Sequence, residues 1–245
     1  RGRMETLPCG AEAYVVGEGG RAVVVASDIF GIHMGRHKEI CDQLAAAGYL
    51  VVMPDFFAGA FPDEGPSLDV WKQLRQAPGL WTPLNTPWAA VERVLQGVIP
   101  YLQQRGCAQG AGLLGFCWGA WVVIRGCEAF PAEFVCGASA HPSVDKMASR
   151  WGEDEEAILA RVLSPQLVLA TKDEPESWKP GGSAERSLRA AGGGGHVFRE
   201  FGTMSHGFVP RGDLGDPAVA AEVSRALEYI QGFLGKHLAR QAADA

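Results

Sequence analysis

The 245-residue sequence has no basic run, no closely spaced cysteine pair and no apolar stretch of membrane-spanning length. Its longest uninterrupted run of glycine and apolar residues, 110 to 124, is 15 residues long, short of the roughly 18 to 20 needed to cross a bilayer. A membrane-spanning helix is therefore not expected. Lys and Arg number 22 against 28 Asp and Glu, for a formal net charge of -6. No stripe of cations tracks phosphates, which argues against nucleic acid as a partner. The six cysteines (9, 41, 107, 117, 127 and 136) include no C-x-x-C pair, so a structural zinc site is not expected. The opening "RGRMETLPCG" is followed by no apolar segment of the signal-peptide kind, and Met4 is a candidate start. The thiols accordingly read as reduced and cytoplasmic rather than as a disulfide framework.

What is present is an ordinary globular composition, 47% hydrophobic and 20% charged, long enough for one large core. We read residues 1 to 245 as a single domain. Short β-branched runs at 21–27, 49–54, 111–116, 134–141, 166–171 and 196–201 read as strands buried on both faces, and "EAYVV" at 12–16 as an edge strand. Between them lie helical patterns at 35–47, 86–105, 118–130, 152–162, 183–191 and about 217–239. This alternation predicts right-handed βαβ units, an α/β fold with a mostly parallel sheet and helices on both faces. Residues 56 to 87, with "FPDEGP" and a cluster of prolines, break the rhythm and read as an excursion over the sheet, of the kind that forms a lid or binding loop.

Against this frame one short stretch stands out. Gly115-Phe116-Cys117-Trp118-Gly119 follows a predicted strand and opens a predicted helix, the setting of a G-x-nucleophile-x-G elbow. The pattern alone is weak, since a shuffled chain of this composition would contain about 0.1 such matches. Its chemistry is specific: a strand-to-helix turn this tight strains the nucleophile's backbone and leaves no room for side chains two positions away. The helix dipole favours thiolate there, and the N–H of Trp118 points where an oxyanion would form. A second N–H should come from the turn after an earlier strand, and "SDIFG" at 27–31 offers that of Ile29.

A nucleophile needs a base and the base an orienting acid. His206, in "GTMSHGF" after the last predicted strand, is the candidate base. Asp173, just past the strand end in "QLVLATKDEPE", is the candidate acid, with Glu174 and Glu176 as rivals. Nucleophile, acid and base then run in the chain order of an α/β-hydrolase. His141, in "SAHPS" beyond another strand end, has either a site role or a packing role.

"SDIFG", "PDFF", "GFCWG" and "SHGFV", in this order and over roughly residues 12 to 235, together resemble the dienelactone hydrolase family, including its carboxymethylenebutenolidase-like members. The resemblance implies an α/β-hydrolase fold, a triad of Cys117, Asp173 and His206, and an oxyanion hole from Ile29 and Trp118. It also implies a thiol-modulating carboxylate at Asp28, where bacterial members have the longer Glu; the alternative for Asp28 is a turn cap. Family members that take dienelactone hold its carboxylate with arginines, for which Arg75 and Arg211 are the candidates. If neither faces the pocket, aromatics such as Phe30, Trp118 and Trp81 line it and neutral esters are favoured. The expected function is hydrolysis of a small-molecule ester or enol-lactone through a thioester on Cys117, with no cofactor and no metal. The rival is a non-catalytic ligand-binding or thiol redox-sensing member of the fold.

Overall fold

The computed structural model describes residues 1–59 and 85–243; most of the expected excursion at 56–87, including Arg75 and Trp81, lies outside the described residues. Eight strands form one sheet: β1 (Arg3–Thr6), β2 (Glu12–Val16), β3 (Ala22–Ala26), β4 (Leu50–Pro54), β5 (Ala111–Phe116), β6 (Phe134–Ala140), β7 (Gln166–Thr171) and β8 (Val197–Phe201). Their order across the sheet is β1-β2-β4-β3-β5-β6-β7-β8. The pairs from β4 to β8 are parallel, whereas β1 and β2 join antiparallel. The "EAYVV" strand is thus not the edge. That place falls to β1, whose exposed "RMET" carries no apolar period to reveal it.

The helices are α1 (His37–Ala46), α2 (Trp88–Gln104), α3 (Gly119–Ala129), α4 (Val144–Trp151), α5 (Glu155–Leu159), α6 (Ser183–Ala190), α7 (Phe208–Arg211) and α8 (Pro217–Ala243). The segment expected as one helix over 152–162 holds only α5, because Gly152 adopts φ 63 and stops α4, and Asp154 then caps the new start by accepting from the Ala157 N–H at 3.0 Å.

Successive strand residues point to opposite faces, and both faces are covered. Val24 and Leu113 pack with Leu95, Val98 and Trp121 on the side of α2 and α3. Val23, Val25 and Leu114 pack with Ile40, Leu44, Ile230 and Leu234 on the side of α1 and α8. This explains why the strands read as continuous apolar runs, each buried side chain contributing about 1.5 to 3 kcal/mol. It also fixes the carboxyl ends of β3, β5, β6 and β7 side by side, where α/β sheets place their ligands. Among the described residues, no helix is long and apolar enough to cross a membrane.

Candidate active site

Cys117 sits between β5 and α3 with φ 56, a left-handed conformation that a non-glycine residue holds only under constraint. The constraint is visible on both sides of the turn. The Cys117 N–H donates to the Ala140 carbonyl at 3.1 Å, and the Cys117 carbonyl accepts from the Ser143 N–H at 3.1 Å, tying the elbow to the end of β6. A Cβ on Gly115 would lie 2.2 Å from the Gly119 carbonyl oxygen, and one on Gly119 would lie 2.2 Å from that of Ala26. The two glycines therefore let α3 start against the end of β3, beside the 27–31 turn. In that turn the Phe30 N–H donates to Asp28 Oδ1 at 2.9 Å and the Gly31 N–H to the Asp28 carbonyl at 3.1 Å. Ile29, between Asp28 and Phe30, packs against the core cluster that contains Cys117 and Trp118.

The thiol is buried, which by itself pushes its pKa up, yet the net shift is downward. A hydrogen bond and the charge of His206, the Ser143 hydroxyl and the Trp118 N–H together outweigh the desolvation. Ser143 Oγ lies 3.6 Å from Cys117 Sγ. For His206 burial pushes the other way, but the hydrogen bonds and charges of Cys117 and Glu174 raise it to about 10. Opposite shifts in adjacent groups favour a resting thiolate–imidazolium pair.

The carboxylate beside the His206 ring is not the one expected. His206 Nδ1 stands 2.6 Å from Glu174 Oε1, whose other oxygen accepts from the Thr171 N–H. Glu174 is 3% exposed. Asp173 points outward, and its carboxylate accepts from the His206 backbone N–H at 2.8 Å, holding the loop rather than the ring. Glu176 is 87% exposed and paired with Lys179. The chain turns inward just after β7, so position 174, not 173, faces the core.

His141 is fully buried at φ 43, its N–H bonded to the Leu169 carbonyl at 2.7 Å. Its ring meets that of His206 edge-on at 5.0 Å and lies 6.1 Å from Phe116 and from Phe208. Neither ring nitrogen has a hydrogen-bond partner among the described residues. Desolvation, then the nearby His206 and His37, hold it well below its ordinary value, so it stays neutral.

Asp28, the carboxylate that the resemblance singled out, is wholly buried in the 27–31 turn. Oδ1 caps the turn at Phe30, and Oδ2 pairs with Arg211 Nη1 and lies 3.6 Å from His37 Nε2. Arg211 in turn stacks over the Phe30 ring at 4.5 Å. Trp118 is buried against Phe57 at 4.7 Å and Phe56 at 5.8 Å. Ser143 and Phe57 were not singled out from sequence. Ser143 stands two residues after His141 in "SAHPS", the one signal that pointed near it. Among the described residues, no cluster of three His, Cys, Asp or Glu side chains could hold a metal ion.

The sequence model of the dienelactone hydrolase family matches residues 12–238. The human carboxymethylenebutenolidase homolog is 28% identical over 227 residues, covering 90% of this chain and 84% of its own. A putative dienelactone hydrolase from Klebsiella pneumoniae superposes with a TM-score of 0.67 at 17% identity, covering 93% of this chain and 98% of its own. A dienelactone hydrolase-like promiscuous phosphotriesterase from metagenomic libraries also gives 0.67, at 16% identity, over 97% and 98% of the two chains. Those two likenesses show the α/β-hydrolase fold.

Proposed function

The chain belongs to the dienelactone hydrolase family, and from that premise we propose that it is a cysteine-dependent hydrolase of small carboxylic esters or enol-lactones. The observation that carries the proposal is Cys117, held at φ 56 on the elbow with Ser143 Oγ 3.6 Å from its sulfur, its pKa lowered and that of His206 raised by the interaction between the two. In the first half-reaction the Cys117 thiolate attacks the carbonyl carbon. A C–S bond forms and the carbonyl π electrons move onto oxygen. The N–H groups of Trp118 and Ile29 hold that oxyanion. As it collapses the ester C–O bond breaks, and the His206 imidazolium gives its proton to the departing oxygen. Neutral His206 then takes a proton from water, whose oxygen attacks the thioester. The second collapse breaks the C–S bond and returns the thiolate and the imidazolium. Glu174 keeps Nδ1 of His206 protonated and the ring aimed throughout.

A thiolate leaves a tetrahedral intermediate more readily than an amine does, so esters and lactones suit this site and peptides do not. The test is hydrolysis of a panel of aryl esters, thioesters and enol-lactones by wild type and Cys117→Ala. Turnover by wild type that Cys117→Ala abolishes supports the reading. Equal turnover by both, or none by wild type on any member of the panel, overturns it.

A further inference from the structure

Ser143 stands at the N-terminal end of α4, where a serine ordinarily turns its hydroxyl onto the first free N–H groups of the helix. Here no side-chain bond caps the helix. The hydroxyl lies instead 3.6 Å from Cys117 Sγ, and the residue is buried. The backbone puts it there. His141 leaves β6 at φ 43 with its N–H on the Leu169 carbonyl, Pro142 follows with its φ fixed by the ring, and the Ser143 N–H returns to the Cys117 carbonyl at 3.1 Å. While the sulfur is a thiol either group can donate across this contact. A thiolate has no proton, so then only the hydroxyl donates.

The groups that steady the sulfur are His206, the Ser143 hydroxyl and the Trp118 N–H. Two of them have other tasks at the moment the acyl group leaves. As the second tetrahedral intermediate collapses, the Trp118 N–H holds the oxyanion, and His206, with Nδ1 on Glu174, has just taken the proton of the attacking water. Sulfur must then take up the electron pair of the breaking C–S bond. Among the described residues the Ser143 hydroxyl has no second partner, so it is free to meet that charge.

We infer, resting on the hydrolase reading above, that Ser143 is a further catalytic residue, whose hydroxyl donates to the Cys117 sulfur as the acyl C–S bond breaks and so speeds release of the acyl group. The electron pair goes to sulfur and the hydroxyl keeps its proton throughout. This role separates the two halves of the reaction. A donor that steadies the thiolate makes sulfur a better leaving group and a weaker nucleophile. Removing it therefore quickens attack and slows departure, which a general loosening of the elbow would not do. Ser143→Ala removes the hydroxyl alone, because the backbone bond to the Cys117 carbonyl survives and no cap bond is lost.

The experiment mixes an aryl acetate with wild type, Ser143→Ala and Ser143→Thr at a pH above the alkylation inflection of each protein, quenches in acid at intervals and follows acetyl-Cys117 by peptide mass. Its rise gives the acylation rate, and its decay once the ester is exhausted gives the deacylation rate. Ser143→Ala is expected to acylate about threefold faster and deacylate about threefold slower, raising the ratio of the two rates about tenfold. Ser143→Thr keeps the hydroxyl and should hold the ratio within about twofold of wild type. A ratio that Ser143→Ala leaves unchanged, or that Ser143→Thr moves as far as Ser143→Ala does, overturns the proposal. Should Ser143→Ala fail to fold, Ser143→Cys, of similar size but a weaker donor, should move the ratio the same way, and an unmoved ratio overturns the proposal. Wild type that never carries an acetyl group on Cys117 overturns the hydrolase reading itself, whereas acetylation with an unmoved ratio overturns only the role of Ser143.

Discussion

Glu174 Oε1 lies 2.6 Å from His206 Nδ1, while Asp173, one residue earlier in the chain, holds the His206 backbone N–H at 2.8 Å. Two adjacent carboxylates thus divide two tasks: one orients the ring, the other fixes the loop that carries it. Glu174→Gln should lower kcat/KM by roughly 10³-fold, because an amide at Nδ1 no longer stabilises the imidazolium. Asp173→Asn should cost no more than about tenfold, the loss of one loop hydrogen bond. Steady-state kinetics on a single aryl ester checks the order; a larger loss from Asp173→Asn would return the orienting role to that residue.

The pairing of thiol and imidazole should show in alkylation. Cys117 is expected to react with iodoacetamide ahead of Cys41, Cys107, Cys127 and Cys136, whose thiols burial pushes up. The rate should hold below the ordinary thiol range and fall only when acid protonates the thiolate. Ser143→Ala removes a donor to that thiolate, so the inflection should rise by roughly one pH unit. Peptide mapping across a pH series reads both effects.

Buried neutral histidines should make the fold acid-sensitive. His37 is pushed down to about 4 by burial and His141 well below its ordinary value. In the unfolded chain both bind protons near pH 6.5. As pH falls from there toward 4 the unfolded state gains protons that the folded state refuses, so stability drops, by about 3 kcal/mol for His37 alone. His206 has the opposite sign: its contribution is complete below about pH 6.5 and is lost as pH rises toward about 10. His141→Phe, placing an apolar ring among Phe116 and Phe208, should keep the Tm at pH 7 and flatten the decline between pH 6.5 and 4.5. Thermal melts over that range check it.

The elbow glycines admit no side chain. Gly119→Ala would drive a Cβ into the Ala26 carbonyl oxygen, which is backbone and cannot swing aside. We expect a loss of several kcal/mol, read as a much reduced denaturation midpoint.

The sheet was legible because its strands are buried on both faces, so that apolar runs such as "LVVMP" and "QLVLAT" stand out between helical periods. Strand β1 was not, since its exposed face carries no hydrophobic signal, and helix α4 was lost because "VDKMASRW" has few apolar residues and meets Gly152 within two turns. At the site, the tight strand-to-helix turn at Cys117 was legible from its glycine spacing, and the placement of His206 on the loop after the last strand from its position in the chain. Which of Asp173 and Glu174 faces the ring depends on one residue's worth of backbone rotation after Thr171, which no local pattern records. The partnership of Asp28 with Arg211 joins residues far apart in the chain, and only the fold brings them together.

The most direct measurement is the mass of the Cys117 peptide after wild-type protein is mixed with an aryl acetate and quenched in acid within the first turnover. One acetyl group on Cys117, absent from the other five cysteines and from every other peptide, is the expected result. Acetylation elsewhere, or an unmodified Cys117 peptide while product is being released, would contradict a thioester on this thiol.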